Sequence, residues 1–206
     1  MISLKLKTTK PLILASASPR RKELLSLLGV PFEVNTMEVN ERAISGNSPA
    51  ELVCNIAMKK GSVVAERNPH AVVISADTMV FIDDMALGKP GNVGMAKEYL
   101  RELSGRTHTV ITGVAIYFNG ICSVLFEKTD VTFYKLSEEW IGAYVASGDW
   151  QDKAGGYGIQ NAGALMVEHI NGDYNNVVGL PIAEIYRKLK SLDLIEFPPV
   201  GSRYDH

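Results

Sequence analysis

Apolar residues along the chain form short β-branched runs that alternate with longer stretches of helical spacing. Uninterrupted runs of 4 to 8 apolar residues are typical of buried strands, and apolar residues three or four apart are typical of helices packed on a sheet. Strands are predicted at Leu12–Ala15, Phe32–Asn35, Ala71–Ala76, Met79–Ile82, Met85–Leu87, Thr107–Phe118, Ile121–Tyr134 and Ala164–Ile170. Helices are predicted from Pro19 to Gly29, Pro49 to Arg67, Val93 to Leu103, Ser137 to Ala146 and Pro181 to Lys190.

Capping and turn residues mark where these elements begin and end. Ser18-Pro19 places an N-cap before a proline at the first helical position, and Ser48-Pro49-Ala50-Glu51 is a capping box. Asn119-Gly120 is a strong hairpin turn, and Asp83-Asp84 predicts a second hairpin. Because two antiparallel hairpins interrupt the alternation of strands and helices, we predict an α/β fold with a mixed sheet and flanking helices.

Composition and charge narrow the choice of partners. The chain has 206 residues, of which 46% are hydrophobic and 21% are charged, and its formal net charge is −2. This composition is typical of globular proteins. The net charge gives no overall positive field that would attract nucleic acid, so any anion site must be local. Cys54 and Cys122 match no metal or redox spacing and are expected to be reduced thiols. With neither a signal-peptide pattern nor a span-length apolar run, no membrane contact and a cytoplasmic location are expected.

The helix start at Ser16-Ala17-Ser18-Pro19-Arg20-Arg21 is the most informative local segment. Two arginines in a first helical turn oppose the helix dipole, which favours anions at that end. A bound phosphate would remove the conflict, since a helix N-terminus already presents free N–H groups and Ser16 adds a hydroxyl. Solvated surface arginines are the alternative. We therefore predict an anion site beside Arg20 and Arg21.

A carboxylate at the end of a predicted central strand is a second candidate. Asp77 follows the run Ala71–Ala76, and the carboxyl ends of such strands are where α/β sheets bind ligands. Asp77 can hold Mg²⁺, accept a proton from water, or simply satisfy a turn. A P-loop motif is absent from the sequence, and the glycines of Gly155–Gly158 can let the backbone approach a ligand.

Other polar residues are unremarkable alone. Lys89 within Gly88-Lys89-Pro90, Lys60 and Glu41 each read as solvated side chains, and Asp152-Lys153 as a local ion pair. His108 is expected to be a hydrogen-bonded structural histidine. Because no nucleophile and base pair can be read from the order of residues, attack by metal-bound water is favoured over covalent catalysis.

Six ordered blocks nevertheless resemble one family, the Maf nucleoside triphosphate pyrophosphatases. The resemblance covers about Pro11 to Leu194. The blocks are Leu14–Arg21, Ala76-Asp77-Thr78, Gly88-Lys89-Pro90, Leu103-Ser104-Gly105 with His108, Asp152–Gln160 and Val178-Gly179-Leu180-Pro181. Two positions depart from the family pattern, Gly156 in place of alanine and Asn161 in place of glycine.

The resemblance implies a two-lobed fold similar to the inosine-triphosphate pyrophosphatases, with the active-site cleft between the lobes. One Maf-like domain would occupy residues 11–196, after an N-terminal extension at 1–10 and before a disordered tail at 197–206. The implied reaction converts a nucleoside triphosphate and water to the monophosphate and pyrophosphate with Mg²⁺ or Mn²⁺. The oligomeric state is left open, a homodimer being one option.

The resemblance also implies roles for individual residues. Asp77 matches the proton acceptor, and Glu41 matches a second carboxylate that would share a metal with it. The phosphate-facing set is Ser16, Arg20, Arg21, Lys60 and Lys89. The specificity positions are Arg20, Thr78 and Gln160, which match the dTTP and UTP subgroup. CTP or modified pyrimidine nucleotides are further candidate substrates. Hydrolysis of 7-methyl-GTP and a nucleotide-responsive role in septum formation without turnover are the alternatives.

Overall fold

The computed structural model describes residues 6–83 and 85–198, leaving the side chain of Arg42 aside. Its helices are α1 Pro19–Ser26, α2 Pro49–Arg67, α3 Val93–Leu103, α4 Glu138–Ala146, α5 Tyr174–Val178 and α6 Ile182–Ser191. Its strands are β1 Lys7–Thr8, β2 Leu12–Leu14, β3 Glu33–Val34, β4 Val72–Ile82, β5 Met85–Leu87, β6 Thr107–Phe118, β7 Ile121–Phe133, β8 Val167–Asn171 and β9 Ile195–Glu196. Short 3₁₀ segments lie at Glu41–Ala43, Ala154–Gly156 and Asn161–Met166.

The sheet is mixed, as predicted. The main sheet has seven strands. Six follow the order β3-β2-β4-β6-β7-β8, and the seventh, β5, pairs with β4. β2 runs parallel to both β3 and β4, whereas all the other pairs in this sheet are antiparallel. β1 and β9 form a separate two-stranded sheet, which pairs Lys7 and Thr8 with Glu196 and Ile195.

Capping side chains fix the helix starts that the sequence predicts. The hydroxyls of Ser18 and Ser48 accept hydrogen bonds from the N–H groups of Arg21 and Glu51. Each replaces one of the partners that the first turn of a helix lacks. The turn between β6 and β7 has positive φ at both of its central residues, 49° at Asn119 and 75° at Gly120, as a two-residue hairpin turn requires.

β4 joins the two predicted strands Ala71–Ala76 and Met79–Ile82 into one, and this changes the expected position of Asp77. One edge of β4 pairs with β6 without interruption from Val73 to Phe81. On its other edge, β4 pairs with β2 only as far as Ile74 and with β5 only from Val80. Asp77 therefore lies inside the strand rather than at its carboxyl end, because β6 keeps the strand extended past the end of β2. Within the described residues, the edge of β4 between these two pairings faces no strand, and this gap opens the sheet beside Asp77.

Helix α2 covers one face of the sheet at unusually close range. A Cβ atom on Gly113 of β6 would lie 2.6 Å from the backbone nitrogen of Cys54, so only glycine allows this approach. Two side chains of the sheet also bind carbonyl oxygens of the helix: Ser75 Oγ donates to Ala57 O at 2.6 Å, and Tyr117 Oη donates to Met58 O at 2.8 Å. These contacts fix the position of α2 relative to the strand that carries Asp77.

The remaining helices pack on the opposite face. The largest core cluster joins the even-numbered residues of β4, such as Val72 and Ile74, to apolar residues of α1, α3, α4 and α6. Side chains alternate along a strand, so the odd-numbered residues of β4 face α2 instead. Asp77 and Thr78 consequently lie on different faces at the gap.

Apart from the 3₁₀ segments, three short elements were not predicted, namely β1, α5 and β9. They have 2, 5 and 2 residues, which is too short for a hydrophobic period to show. The predicted strand Ala164–Ile170 is partly wrong, because Asn161–Met166 forms a 3₁₀ segment and β8 begins at Val167. Most of the predicted disordered tail lies outside the described residues.

None of the helices in the described ranges is long and apolar enough to cross a membrane.

Candidate active site

A cleft opens at the gap in the sheet and has two connected parts. The inner hollow measures about 130 Å³ and the outer hollow about 620 Å³. Both are bordered by the same mainly charged row, which is Ser18, Arg20, Arg21, Glu41, Lys60, Lys89 and Asp152. Of the residues predicted for the site, Asp77, Thr78 and Gln160 border the inner hollow, and Ser16 borders the outer one. The structure thus brings all the predicted residues to one cleft.

Lys60 lies at the centre of the charged row. Its Nζ lies 2.7 Å from Asp77 Oδ1 and 2.9 Å from Glu41 Oε1. The side chains of Asp77 and Lys60 are only 9% and 20% exposed, so this pair is poorly solvated, whereas Glu41 is 49% exposed at the rim. One ammonium group therefore holds together two carboxylates that would otherwise repel each other.

The second oxygen of Asp77 is free to act on a ligand. Within the described part of the chain, Asp77 Oδ2 is buried and meets no hydrogen-bond donor. A buried carboxylate oxygen without a donor is costly unless a cation or a proton donor reaches it. Among the described residues no group of three or more His, Cys, Asp or Glu could hold a metal ion. Mg²⁺ commonly takes one or two carboxylates and draws its remaining ligands from water and substrate phosphates, so Asp77 and Glu41 fit such an ion.

Arg21 turns inward and is held by neutral groups. Its Nε donates to Gly179 O at 2.8 Å, one terminal nitrogen donates to Thr78 Oγ1 at 2.9 Å, and the other donates to Ser16 Oγ at 3.2 Å. Burial lowers the pKa of the guanidinium, while the nearby Asp77 carboxylate opposes that change. Three of the five N–H groups are thus used in fixing the fork, and two remain for a ligand.

Arg20 and Lys89 lie differently from Arg21. Both border the cleft, and neither side chain forms a hydrogen bond or ion pair with the described residues. Lys89 is exposed and sits beside the buried Pro90, in a loop where Gly88 O accepts a hydrogen bond from Gly155 N at 3.0 Å. These two side chains are the cleft cations free to move onto an anion.

The predicted specificity positions differ in what they can reach. Gln160 is half-buried and borders the inner hollow, near the apolar side chains of Val80, Val110 and Ile159. The Thr78 hydroxyl instead lies 2.9 Å from Arg21 and 2.9 Å from Thr112 Oγ1. The Thr78 hydroxyl is therefore bonded to other protein groups. The sequence did not predict these contacts.

The glycine-rich loop is anchored by an ion pair other than the one predicted. Lys153 bonds to the backbone oxygen of Asp149 and lies 3.1 Å from its Oδ1, not against its neighbour Asp152, so the predicted local pair is wrong. Asp149 Oδ2 accepts a hydrogen bond at 3.1 Å from the Tyr144 hydroxyl, which accepts one from Gly158 N at 3.2 Å. Lys153 therefore pairs with the carboxylate that the fold brings close to it, Asp149, and not with its neighbour in the sequence.

His108 supplies a second anchor for the loop. Its Nε2 lies 2.7 Å from the Tyr157 hydroxyl, and both side chains are buried. Each ring also packs edge-on against Phe133, at centroid distances of 4.8 and 4.7 Å. Burial lowers the pKa of His108 to about 4, so the ring is neutral near pH 7. The prediction of a hydrogen-bonded structural histidine is confirmed.

Asn161, directly after Gln160, has a left-handed backbone conformation. Its φ is 55°, in the left-handed region. After glycine, asparagine is among the residues that adopt this region most readily. Asparagine at position 161 is therefore compatible with the turn that follows Gln160.

Known proteins resemble the chain over most of its length. The family described as Maf-like protein matches residues 11–192. A Bacillus cereus protein named dTTP/UTP pyrophosphatase is 51% identical over 185 residues, covering 90% of this chain and 91% of that protein. A Bacillus mycoides protein of the same name is 52% identical over 184 residues, covering 89% and 96%. The solved Staphylococcus aureus Ham1 protein aligns with a TM-score of 0.44 and 12% identity over 60% of this chain and 72% of that one.

The buried His108 predicts a pH-dependent stability. Its pKa is about 4 in the folded chain and ordinarily 6.5, so between these values the unfolded state binds more protons. The free energy of unfolding should therefore rise by up to about 3 kcal/mol from pH 4 to pH 7 on account of this group. Urea unfolding across that range should show this component in the wild type, and His108→Gln should lack it.

His169→Gln is the matched control, since it makes the same substitution at an exposed site and should keep the component that comes from His108. Parallel pH curves for the wild type and His108→Gln would show that His108 is not held in its neutral form by the fold.

Proposed function

The chain belongs to the Maf family, and we propose that its cleft hydrolyses dTTP and UTP to the nucleoside monophosphate and pyrophosphate. The observation that carries this proposal is the arrangement around Lys60, where two carboxylates adjoin a group of cations. Relatives named dTTP/UTP pyrophosphatase, which cover 90% of the chain, support the same substrates.

The charge of the cleft suits a triphosphate. Five cationic and three acidic side chains line the inner hollow: Arg20, Arg21, Lys60, Lys89 and Lys153, with Glu41, Asp77 and Asp152. This lining carries a formal charge of +2, although the whole chain carries −2. A local excess of cations in a concave site concentrates polyanions there. We assign Arg20, Arg21, Lys60 and Lys89 to the phosphates, with Ser16 on the outer side.

The apolar part of the inner hollow suits a base. Val80, Val110, Ile159 and Val177 line it beside Gln160. Ligand sites typically combine apolar walls with a few polar groups that fix orientation. The Gln160 amide offers both a donor and an acceptor, which can pair with the donor and acceptor edge of a pyrimidine. We propose that Gln160 reads the base, while Thr78 contributes by fixing Arg21.

A divalent cation, Mg²⁺ or Mn²⁺, would be held by Glu41 and Asp77. When bound, it would offset negative charge on the phosphate oxygens near the bond that breaks. Lys60, which lies between the same two carboxylates, keeps them close together and limits their repulsion. The cations of the cleft would orient the triphosphate so that its α-phosphorus lies near Asp77.

Asp77 would act on the attacking water. Its Oδ1 is fixed by Lys60, so its Oδ2 is oriented and able to accept a proton. The water oxygen forms a bond to the α-phosphorus, and the bond from that phosphorus to the bridging oxygen breaks. Pyrophosphate leaves with that oxygen. Positioning and electrostatic stabilisation would supply most of the rate.

The proposal predicts a substrate profile. Pyrophosphate release should be fastest with dTTP and UTP in a screen that includes CTP, GTP, ITP and 7-methyl-GTP, each with Mg²⁺ or Mn²⁺. A chelator should abolish it. Tight nucleotide binding with no turnover on any substrate would overturn the enzyme proposal and favour a nucleotide-responsive regulator. Preference for 7-methyl-GTP would overturn only the pyrimidine assignment.

Asp77→Asn should lower kcat by about a hundredfold or more, the range for loss of a general acid or base. The amide keeps the shape of the side chain, so UTP affinity should change little. Asp130→Asn is the matched control, because Asp130 lies in the same sheet and its Oδ1 accepts a hydrogen bond from Thr109 Oγ1 at 2.8 Å outside the cleft. Near-normal turnover by Asp77→Asn would show that Asp77 is not the catalytic group.

A further inference from the structure

A line of hydrogen bonds runs from the half-buried Arg21 into the core. Arg21 meets Thr78, whose Oγ1 lies 2.9 Å from Thr112 Oγ1 in the neighbouring strand β6. Thr112 Oγ1 in turn lies 3.1 Å from the backbone oxygen of Asn176 in α5. Thr112 and Asn176 are fully buried, which makes their polar groups expensive unless each finds a partner.

The partners limit the directions that these bonds can take. Arg21 can only donate, and the backbone oxygens of Asn176 and Gly179 can only accept. The hydroxyl of Thr78 accepts from Arg21, and either it donates to Thr112, which donates to Asn176 O, or it donates to Gly179 O at 3.4 Å and accepts from Thr112. In both arrangements the two hydroxyls bond to each other and connect the charged donor to a carbonyl oxygen. Hydrogen bonds aligned in this way polarise and strengthen one another.

The same segment holds Arg21 from its other side. α5 is fixed to the sheet because Asn176 Nδ2 donates to Val110 O at 3.1 Å and to Thr129 Oγ1 at 3.0 Å. Three residues after Asn176, Gly179 O accepts from Arg21 Nε at 2.8 Å. Two routes therefore lead from Asn176 to the guanidinium, one through Thr112 and Thr78 and one through Gly179.

We infer that Thr112 and Asn176 are positioning residues that fix the Arg21 fork for the phosphates, although neither borders the cleft. This inference rests on the proposed function only in assigning a triphosphate to Arg21. With three of its N–H groups held by protein, the guanidinium presents its last two in a set direction. An arginine fork matches phosphate oxygens only when it is held in that way.

Thr112→Val is the direct test, since valine keeps the shape and removes the hydroxyl. It should raise the KM for UTP and the Kd for inorganic pyrophosphate by about three- to tenfold, the usual weight of one hydrogen bond, while kcat changes less. Thr112→Ser should restore both constants. Thr107→Val is the matched control, because Thr107 also lies in β6 and its hydroxyl bonds at 2.8 Å to Thr132 of β7, exposed to solvent. Both constants should stay at wild-type values in that variant.

A double-mutant cycle separates positioning from a general loss of structure. If Thr112 acts through Arg21, Thr112→Val should change the affinity for pyrophosphate by less than about twofold once Arg21→Lys is present, because contacting residues are not additive. An equal loss in both backgrounds, or no loss in the wild-type background, would overturn the inference. If Thr112→Val does not fold, Thr112→Ala is read in the same cycle.

Failure of the proposed function has a different signature. If wild-type protein released pyrophosphate from no nucleotide, the proposed reaction would be wrong. Pyrophosphate binding measured by calorimetry would still test the cycle, because it needs no turnover.

Discussion

The contact of Lys60 with Asp77 and Glu41 is the interaction on which the cleft depends. It joins the long helix α2, the central strand β4 and the 3₁₀ segment at Glu41–Ala43 at one point. Removing one partner of such a poorly solvated pair leaves an uncompensated charge, so all three groups are needed together. The close packing of α2 on Gly113 places Lys60 where it can reach both carboxylates. The packing of α2 on the sheet therefore also determines where the positive charge of Lys60 lies in the cleft.

The gap in the sheet explains why charge collects there. β4 loses the pairing with β2 after Ile74 and gains the pairing with β5 only at Val80. The residues between carry Asp77 towards α2 and Thr78 towards Arg21, so a ligand entering the gap meets both faces of one strand. Anchors on each side keep the opening in shape, with Gly155 bound to the loop after β5 and α5 bound to β6.

Much of this could be predicted from the sequence, for identifiable reasons. Long elements with clear caps or turns, such as α2 and the hairpin at Asn119-Gly120, were predicted almost to the residue. The position of Asp77 within β4 was not, because only the pairing with β6 extends the strand past Ala76. The resemblance to the family identified the candidate site residues, but the contacts between them depend on the fold. The inward turn of Arg21 requires Gly179, which lies 158 residues away along the chain.

Lys60 organises the proposed cleft for a divalent cation and a nucleoside triphosphate. The most direct test compares pyrophosphate release from UTP by Lys60→Met and Lys59→Met. Lys59 is the adjacent residue of the same helix and is exposed, so the two variants share one substitution and differ only in what the side chain reaches. Loss of such an electrostatic contact should lower kcat/KM by about a hundredfold or more in Lys60→Met. Lys59→Met should match the wild type, and equal activity of the two folded variants would contradict the account.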